Sequence, residues 1–305
     1  MQQLHDVLIL GGGAAGYTAA LYAARAGLDT LVLEGTAAGG QLTQARRIDN
    51  YPGFDTGVDG DELARKMRLG AEKYGARTEF ARLHATELHT APKRVRSDAG
   101  DLFARTVILA TGAEPRPLGL PGERALTGRG LSYCASCDGE LFRGRRVAVI
   151  GGGNTAASEA LALARIASEV LLLHRGTELR ATRLYHAPVD AARNITRMPG
   201  SEVIALLESG GRLQGLRVKT DDGVHDLQCD GAFVCIGRRP ATDCVRGQLA
   251  LDAAGYVIAG ENGTTSLPGV FAAGDVRAKP LRQLVTAVAD GANAAFSAER
   301  YLNMS

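Results

Sequence analysis

The sequence predicts an α/β fold in which one βαβ unit is inserted into a second copy of itself, and three observations predict it. An apolar run, Val7-Leu8-Ile9-Leu10, breaks into Gly11-Gly12-Gly13-Ala14-Ala15-Gly16 and continues as an alanine-rich helical stretch from Ala19 to Ala24. The pattern then returns without a gap. Gly151-Gly152-Gly153 falls on Gly11-Gly12-Gly13, Ala160-Leu161 on Ala20-Leu21, Ala164-Arg165 on Ala24-Arg25, and Leu171 and Leu173 on Leu31 and Leu33. Finally, the roughly sixty residues after the second copy are too few for a domain. They hold an apolar strand, Gly269-Val270-Phe271-Ala272-Ala273, closed by Gly274-Asp275, and a helix from about Leu281; they most simply complete the first copy.

Each copy carries the marks of dinucleotide binding. Glycines at 11, 13 and 16 have separate tasks: a tight turn, room for a pyrophosphate against the backbone, and close packing of helix on strand. The phosphates of such a ligand lie on the helix N-terminus. Leu31-Val32-Leu33 is the next strand and ends in Glu34, where a carboxylate accepts both ribose hydroxyls of an adenine dinucleotide. In the second copy Gly151 and Gly153 precede Asn154 and Thr155, and the place of Glu34 is taken by His174, followed by Arg175 and, within reach, Arg180. A carboxylate repels a 2′-phosphate and cations attract one. The first copy therefore suits a dinucleotide with free ribose hydroxyls, such as FAD, and the second suits NADP(H). The expected architecture is two Rossmann-like, three-layer ββα domains, the second nested in the first.

The joins are marked by proline. Arg77 to Ala110 alternates short strands with turn signals at Ala91-Pro92 and Asp98-Ala99-Gly100 and ends in Val107-Ile108-Leu109-Ala110-Thr111-Gly112. The second copy matches it with Leu213 to Thr220, a turn at Asp221-Asp222-Gly223, and Ala232 to Ile236 before Gly237. Pro115, Pro117 and Pro121 follow the first of these ends and Arg239-Pro240 the second, which puts linkers at about 113–118 and 240–246. The expected division is a discontinuous FAD domain, 1–115 with 245–305, and an inserted nicotinamide-nucleotide domain, 116–244.

The inserted copy is preceded by Tyr133-Cys134-Ala135-Ser136-Cys137-Asp138-Gly139. Two cysteines separated by two residues close a small disulfide ring, and an acid directly after the second protonates or deprotonates a leaving thiolate. Zinc needs about four ligands, and no second CxxC, CxH or HxxxH occurs; Cys229, Cys235 and Cys244 are scattered. Cys235, in Phe233-Val234-Cys235-Ile236, reads as a small buried hydrophobe. No metal is expected, and a redox dithiol beside a nucleotide fold is.

Composition narrows the classes further. With 305 residues and 45% hydrophobic content the chain can bury two cores. A net charge of +2 provides no field for nucleic acid or an anionic membrane, and 5% aromatic residues without tryptophan leave little to stack on bases. No apolar span has the length of a membrane helix, and Leu4 to Leu10 lacks a basic leader, so it reads as a first strand. An odd number of cysteines with one close pair points to a reducing compartment, the cytoplasm.

Over essentially its whole length the sequence resembles the low-molecular-weight thioredoxin reductases of the two-dinucleotide flavoprotein class. The resemblance is carried by GGGAAG near the start, Gly39-Gly40-Gln41-Leu42, Asn50-Tyr51-Pro52-Gly53, Ala110-Thr111-Gly112, CASCDG where the family usually shows CATCDG, the second GGG, His174-Arg175, Gly274-Asp275 and Arg282-Gln283. It implies that Gly11, Gly13, Gly16 and Glu34 hold the FAD pyrophosphate and ribose, that Gln41, Asn50, Asp275, Arg282 and Gln283 contact the flavin end, and that Ala14, Ala15, Gly40, Ala110, Thr111, Gly112 and Gly274 lie beside them. It also implies a homodimer, a thioredoxin-like protein partner, Cys137 as the flavin-proximal sulfur and Asp138 as general acid-base. The resulting path runs from nicotinamide to flavin to the Cys134-Cys137 disulfide to a partner disulfide.

Four departures from the family bear on specificity. Asn154 stands where aspartate is usual, Ser158 where the first of two glutamates is usual, Gly176 where a second consecutive arginine is usual, and Glu140-Leu141 where large aromatics often follow the dithiol. The expectation is NADPH with a reduced margin over NADH, and an altered choice of partner. Two rival functions remain in view: an oxygen-using dithiol oxidase that ignores NADPH, and a flavin- or NADP(H)-binding sensor that is not an enzyme.

Overall fold

The computed structural model describes residues 3–35, 39–45 and 47–304, apart from the side chains of Gln44, Ser136 and Cys137. The chain divides into two units, Met1–Glu114 with Arg239–Ser305, and Pro115–Arg238.

In chain order the elements are β1 (Leu4–Leu10), α1 (Ala14–Arg25), β2 (Thr30–Glu34), α2 (Gly60–Glu72), β3 (Arg77–Phe80), β4 (Leu83–Glu87), β5 (Lys93–Ser97), β6 (Gly100–Leu109) and β7 (Ala113–Pro115). The second unit supplies α3 (Glu123–Leu126), β8 (Leu131–Ser132), α4 (Ala135–Asp138), β9 (Arg146–Ile150), α5 (Asn154–Ala164), β10 (Glu169–Leu173), α6 (Arg183–Ala191), β11 (Ile195–Met198), β12 (Glu202–Ser209), β13 (Arg212–Thr220), β14 (Gly223–Gln228) and β15 (Gly231–Val234). Then come β16 (Arg238–Pro240), β17 (Val270–Ala272) and α7 (Leu284–Met304).

In the first unit the strand order is β3-β2-β1-β6-β5-β4, with β17 joined to β6. β1 runs parallel to both β2 and β6 and is covered on both faces, which is why Val7 to Leu10 is apolar without alternation. One face meets α1 and α7 through small residues, Ala15, Ala19, Ala20 and Ala23 against Ala287, Ala294, Ala295 and Ala298. A Cβ on Gly291 would lie 2.3 Å from the Ala15 carbonyl oxygen, so this helix pair packs backbone to backbone.

The second unit repeats the plan. Its sheet runs β11-β10-β9-β15-β8, all parallel, beside an antiparallel sheet β12-β13-β14. Equivalent hydrogen bonds recur in both units: Gly11 N to Leu33 O and Gly151 N to Leu173 O, both 2.8 Å; Ala110 N to Leu10 O, 2.8 Å, and Cys235 N to Ile150 O, 2.7 Å; Gly39 N to Gly12 O, 3.1 Å, and Ala181 N to Gly152 O, 3.0 Å. The repeat seen in the sequence is thus a repeat of backbone geometry.

Two boundaries differ from the sequence reading. The segment 240–246, expected as linker, packs into the first unit: Val245 is fully buried and the Cys244 carbonyl accepts from Thr86 Oγ1 at 2.6 Å. The crossing itself is β16, which pairs with β7 at the other crossing. The last helix starts at Leu284 and not at Leu281, because Thr286 Oγ1 accepts from Gln283 N at 3.2 Å and takes over the first turn.

Candidate functional site

Gly11 leaves β1 with φ +105°, in the left-handed region open to glycine, and a Cβ there would lie 2.5 Å from the Ala110 carbonyl oxygen. A Cβ on Gly16 would come within 1.9 Å of the Gly11 carbonyl oxygen, so α1 rests on the turn itself. Gly13, by contrast, faces open space, which is the room a pyrophosphate needs. Glu34, at the end of β2, is buried; Oε1 accepts from Gly35 N at 2.8 Å, while Oε2 is enclosed without a partner, as is the neighbouring Tyr17 hydroxyl. Burial pushes the Glu34 carboxyl above its ordinary range and the Tyr17 phenol up to about 12. An enclosed carboxylate oxygen without a donor is costly, and ribose hydroxyls are donors of the right kind and place.

The residues expected at the flavin end meet in pairs. Gln41 Nε2 donates to Ala113 O at 3.2 Å and to Asp275 Oδ2 at 3.5 Å, and Asn50 Nδ2 donates to Gln283 Oε1 at 3.0 Å. The Arg282 guanidinium lies 3.7 Å from the centre of the Tyr256 ring. Asp275 Oδ1 is enclosed without a hydrogen bond. Behind it stands a buried charge cluster absent from the sequence reading: Asp290 accepts from Arg277 Nη1 at 2.6 Å, from Lys279 Nζ at 2.9 Å and from Gly274 N at 3.0 Å. Lys279 Nζ is also 3.8 Å from Asp275 Oδ1. Asp290 therefore holds the Gly274-Asp275 turn in place.

In the second unit Gly151 (φ +145°) repeats the close approach, with a Cβ 2.2 Å from the Cys235 carbonyl oxygen, and Gly153 again faces open space. Asn154 opens α5, and its Oδ1 accepts from Thr182 N at 2.7 Å. A cavity of about 430 Å³ is lined by Gly151, Gly152, His174, Arg175, Gly176 and Arg180, with Arg116, Glu178 and Glu202 at its wall. His174 is 3% exposed, neither ring nitrogen has a partner, and burial pushes its pKa below the usual value, so it lines the cavity as a neutral ring. The positive charge there comes from arginine. Thr155 sits on the first turn of α5.

Cys134 is disulfide-bonded, and Cys229, Cys235 and Cys244 are free thiols. The side chain of Cys137 lies outside the described residues. Ala135 N, at the head of α4, donates to the Glu159 carboxylate, whose pKa is raised by burial. Ser132 Oγ donates to Asp138 Oδ2 at 2.6 Å and accepts from Cys134 N at 3.1 Å. The preceding Tyr133 hydroxyl donates to Glu123 Oε1 at 2.6 Å, and the same carboxylate accepts the backbone N–H groups of Leu118, Gly119 and Leu120. Burial alone would raise the Glu123 pKa; these four donors outweigh it and lower the value. After the dithiol, Phe142 turns inward, edge-on to Phe233 at 5.5 Å, and Leu141 is left 77% exposed beside a Glu140–Arg143 ion pair of 2.8 Å. Sequence reasoning missed Ser132, Glu159 and Glu123; only Ser132, three residues ahead of the helix start and two ahead of the Cys134 N–H it accepts, bears a local signal, that of a serine turn.

Two nucleotide-binding units, one of them carrying a disulfide at the head of a short helix, make the architecture of a two-nucleotide disulfide oxidoreductase. The family model described as pyridine nucleotide-disulphide oxidoreductase matches residues 5–291. The thioredoxin reductase of Mycolicibacterium smegmatis is 44% identical over 99% of this chain and 97% of its own. A bifunctional thioredoxin reductase/thioredoxin of Mycobacterium leprae is 42% identical over 99% of this chain and 66% of its own length. The crystal structure of Lactococcus lactis thioredoxin reductase superposes with a TM-score of 0.93 at 36% identity, covering 99% of this chain and 100% of that one. The chain belongs to the pyridine nucleotide-disulphide oxidoreductase family and, within it, groups with the thioredoxin reductases.

Proposed function

We propose that the chain is an NADPH-dependent thioredoxin reductase, with FAD in the first unit, NADPH in the second and Cys134-Cys137 as the exchanging dithiol. The observation that carries the reading is the coexistence of a disulfide-bonded Cys134 with two glycine cradles of opposite charge character, Glu34 at one and Arg175 and Arg180 at the other. Gly11, Gly13, Ala14, Ala15 and Gly16 would hold the FAD pyrophosphate, and the unpartnered Glu34 Oε2 its ribose. Gly40, Gln41, Asn50, Ala110, Thr111, Gly112, Gly274, Asp275, Arg282 and Gln283 would hold the rest. Bound there, the flavin supplies two-electron transfer between nicotinamide and disulfide. The protein supplies position and protons: Asp138 gives a proton to, or takes one from, the sulfur that leaves. A thioredoxin-like protein is the partner, a reading supported by the relative that bears both activities in its name. The first domain would be the FAD domain and the inserted one the nucleotide domain, working as a homodimer in the cytoplasm; among the described residues no helix is long and apolar enough to cross a membrane.

Anaerobic mixing of the flavin-loaded protein with NADPH or NADH tests the assignment. Bleaching of the flavin absorbance by NADPH is expected. Failure of both nucleotides, with bleaching by a small dithiol, would overturn the reductase in favour of a thiol oxidase.

The nucleotide preference rests on Gly176. A Cβ there would approach Glu178 O to 3.2 Å, a contact that a shift of a few tenths of an ångström relieves, so arginine is admissible. Gly176→Arg is expected to lower the KM for NADPH about ten- to a hundredfold, the worth of one charge-assisted pair, and to leave that for NADH nearly unchanged. No gain with NADPH would show that the 2′-phosphate lies elsewhere.

A further inference from the structure

Ser132 occupies a position the reaction needs and the motif does not name. It is the last residue of β8, opposite Phe233 in β15, and is 4% exposed, so no water replaces its hydroxyl. Its Oγ is bound from three sides. It accepts from Cys134 N at 3.1 Å, and its single proton has two acceptors in range, Asp138 Oδ2 at 2.6 Å and Cys134 O at 3.2 Å. The shorter contact is to the carboxylate, and a bond to a charged acceptor is the stronger.

We propose that Ser132 is the positioning residue for Asp138, reserving Oδ2 for its own hydroxyl and leaving Oδ1 to carry the proton exchanged with sulfur. The inference rests on the reading of Asp138 as acid-base. When the disulfide opens, the S–S bond takes two electrons, which a reduced flavin bound in the first unit would supply, and two protons, of which the flavin N–H would supply one and this site the other. The site's proton leaves Asp138 Oδ1, and the carboxylate so formed is met at once by the Ser132 O–H on Oδ2. When Asp138 regains its proton it becomes a weaker acceptor, and the Cys134 carbonyl stands ready as the alternative partner. The buried hydroxyl is thereby satisfied in both states, and neither protonation state of Asp138 strands a buried donor. Because the Cys134 N–H also ends on this oxygen, the serine ties the orientation of the acid to the backbone of the cysteine whose disulfide it serves.

The test uses the flavin-loaded enzyme, reduced anaerobically with NADPH and mixed with an oxidised bacterial thioredoxin, comparing Ser132→Ala, Ser132→Thr, Asp138→Asn and the Ser132→Ala/Asp138→Asn double variant. Flavin absorbance and its reduction by NADPH serve as the check on folding. Ser132→Ala is expected to slow thiol transfer about ten- to a hundredfold at unchanged KM for thioredoxin. Ser132→Thr, which keeps the hydroxyl, restores most of the rate, and Ser132→Ala adds no further loss once Asp138 is asparagine. A Ser132→Ala enzyme at parental rate, or one whose loss multiplies that of Asp138→Asn, overturns the inference alone. Parental turnover by Asp138→Asn overturns the role of Asp138 and the inference with it.

Discussion

Serine in place of Cys134, or of Cys137, is expected to abolish reduction of thioredoxin while leaving bound flavin and its reduction by nucleotide intact. The dithiol is the only route by which electrons leave the flavin for a protein disulfide in this scheme, so the loss is to the uncatalysed background and is not a graded one. The two cradles are built from other residues. Gly11, Gly16 and Glu34 belong to the first unit, and the described walls of the cavity of Gly151, His174 and Arg180 do not include Cys134. Stopped-flow absorbance with NADPH and a coupled thioredoxin assay on the same preparations separate the half-reactions. Near-parental thioredoxin turnover by either serine variant would show that a different pair carries the exchange.

Asp290→Asn is expected to destabilise the first unit strongly. Asp290 is 8% exposed and faces two cations, Arg277 and Lys279, which are themselves enclosed. Asparagine keeps the shape and withdraws the charge, leaving both cations without their common anion. Lys279 then keeps, as an anion among the described residues, Asp275 at 3.8 Å, with Thr286 Oγ1 at 3.2 Å. Breaking a buried pair in this one-sided way costs about 3–5 kcal/mol, a fall of roughly 10 °C in melting midpoint at about 2–4 °C per kcal/mol for a unit of this size. The Gly274 N–H also depends on Asp290, so flavin retention falls with stability. Adding Lys279→Met to Asp290→Asn should recover part of the loss, since one orphaned cation is then gone. A midpoint within a degree or two of the parent would mean that the cluster is hydrated and its charges are worth little.

Much of this molecule was legible because the relevant chemistry is contiguous. The glycine turns are dictated by backbone contacts within a few residues, as the Gly16 approach to Gly11 shows, and the apolar strands beside them announce a sheet covered on both faces. The internal repeat was visible for the same reason: the two copies share the hydrogen bonds at Gly11 and Gly151 because they share the residues that make them. The linkers were less legible. Proline marks where regular structure stops, but it says nothing about which core the following residues join, and 241–246 join the first because Val245 fits there.

By itself, then, the sequence determined the two glycine-turn units, the charge that distinguishes them at Glu34 and at Arg175 and Arg180, and the close spacing of Cys134 and Cys137, since each is set by neighbouring residues whose sterics and charge need no distant partner. Only the tertiary structure decided which groups attend them. Glu159 reaches the amide of Ala135 from another helix, Asp290 gathers Arg277, Lys279 and the Gly274 amide from across a turn, and His174 is neutral because it is buried. Their effects depend on burial and on distances between segments remote in the chain, and those exist only once the sheets and helices have packed.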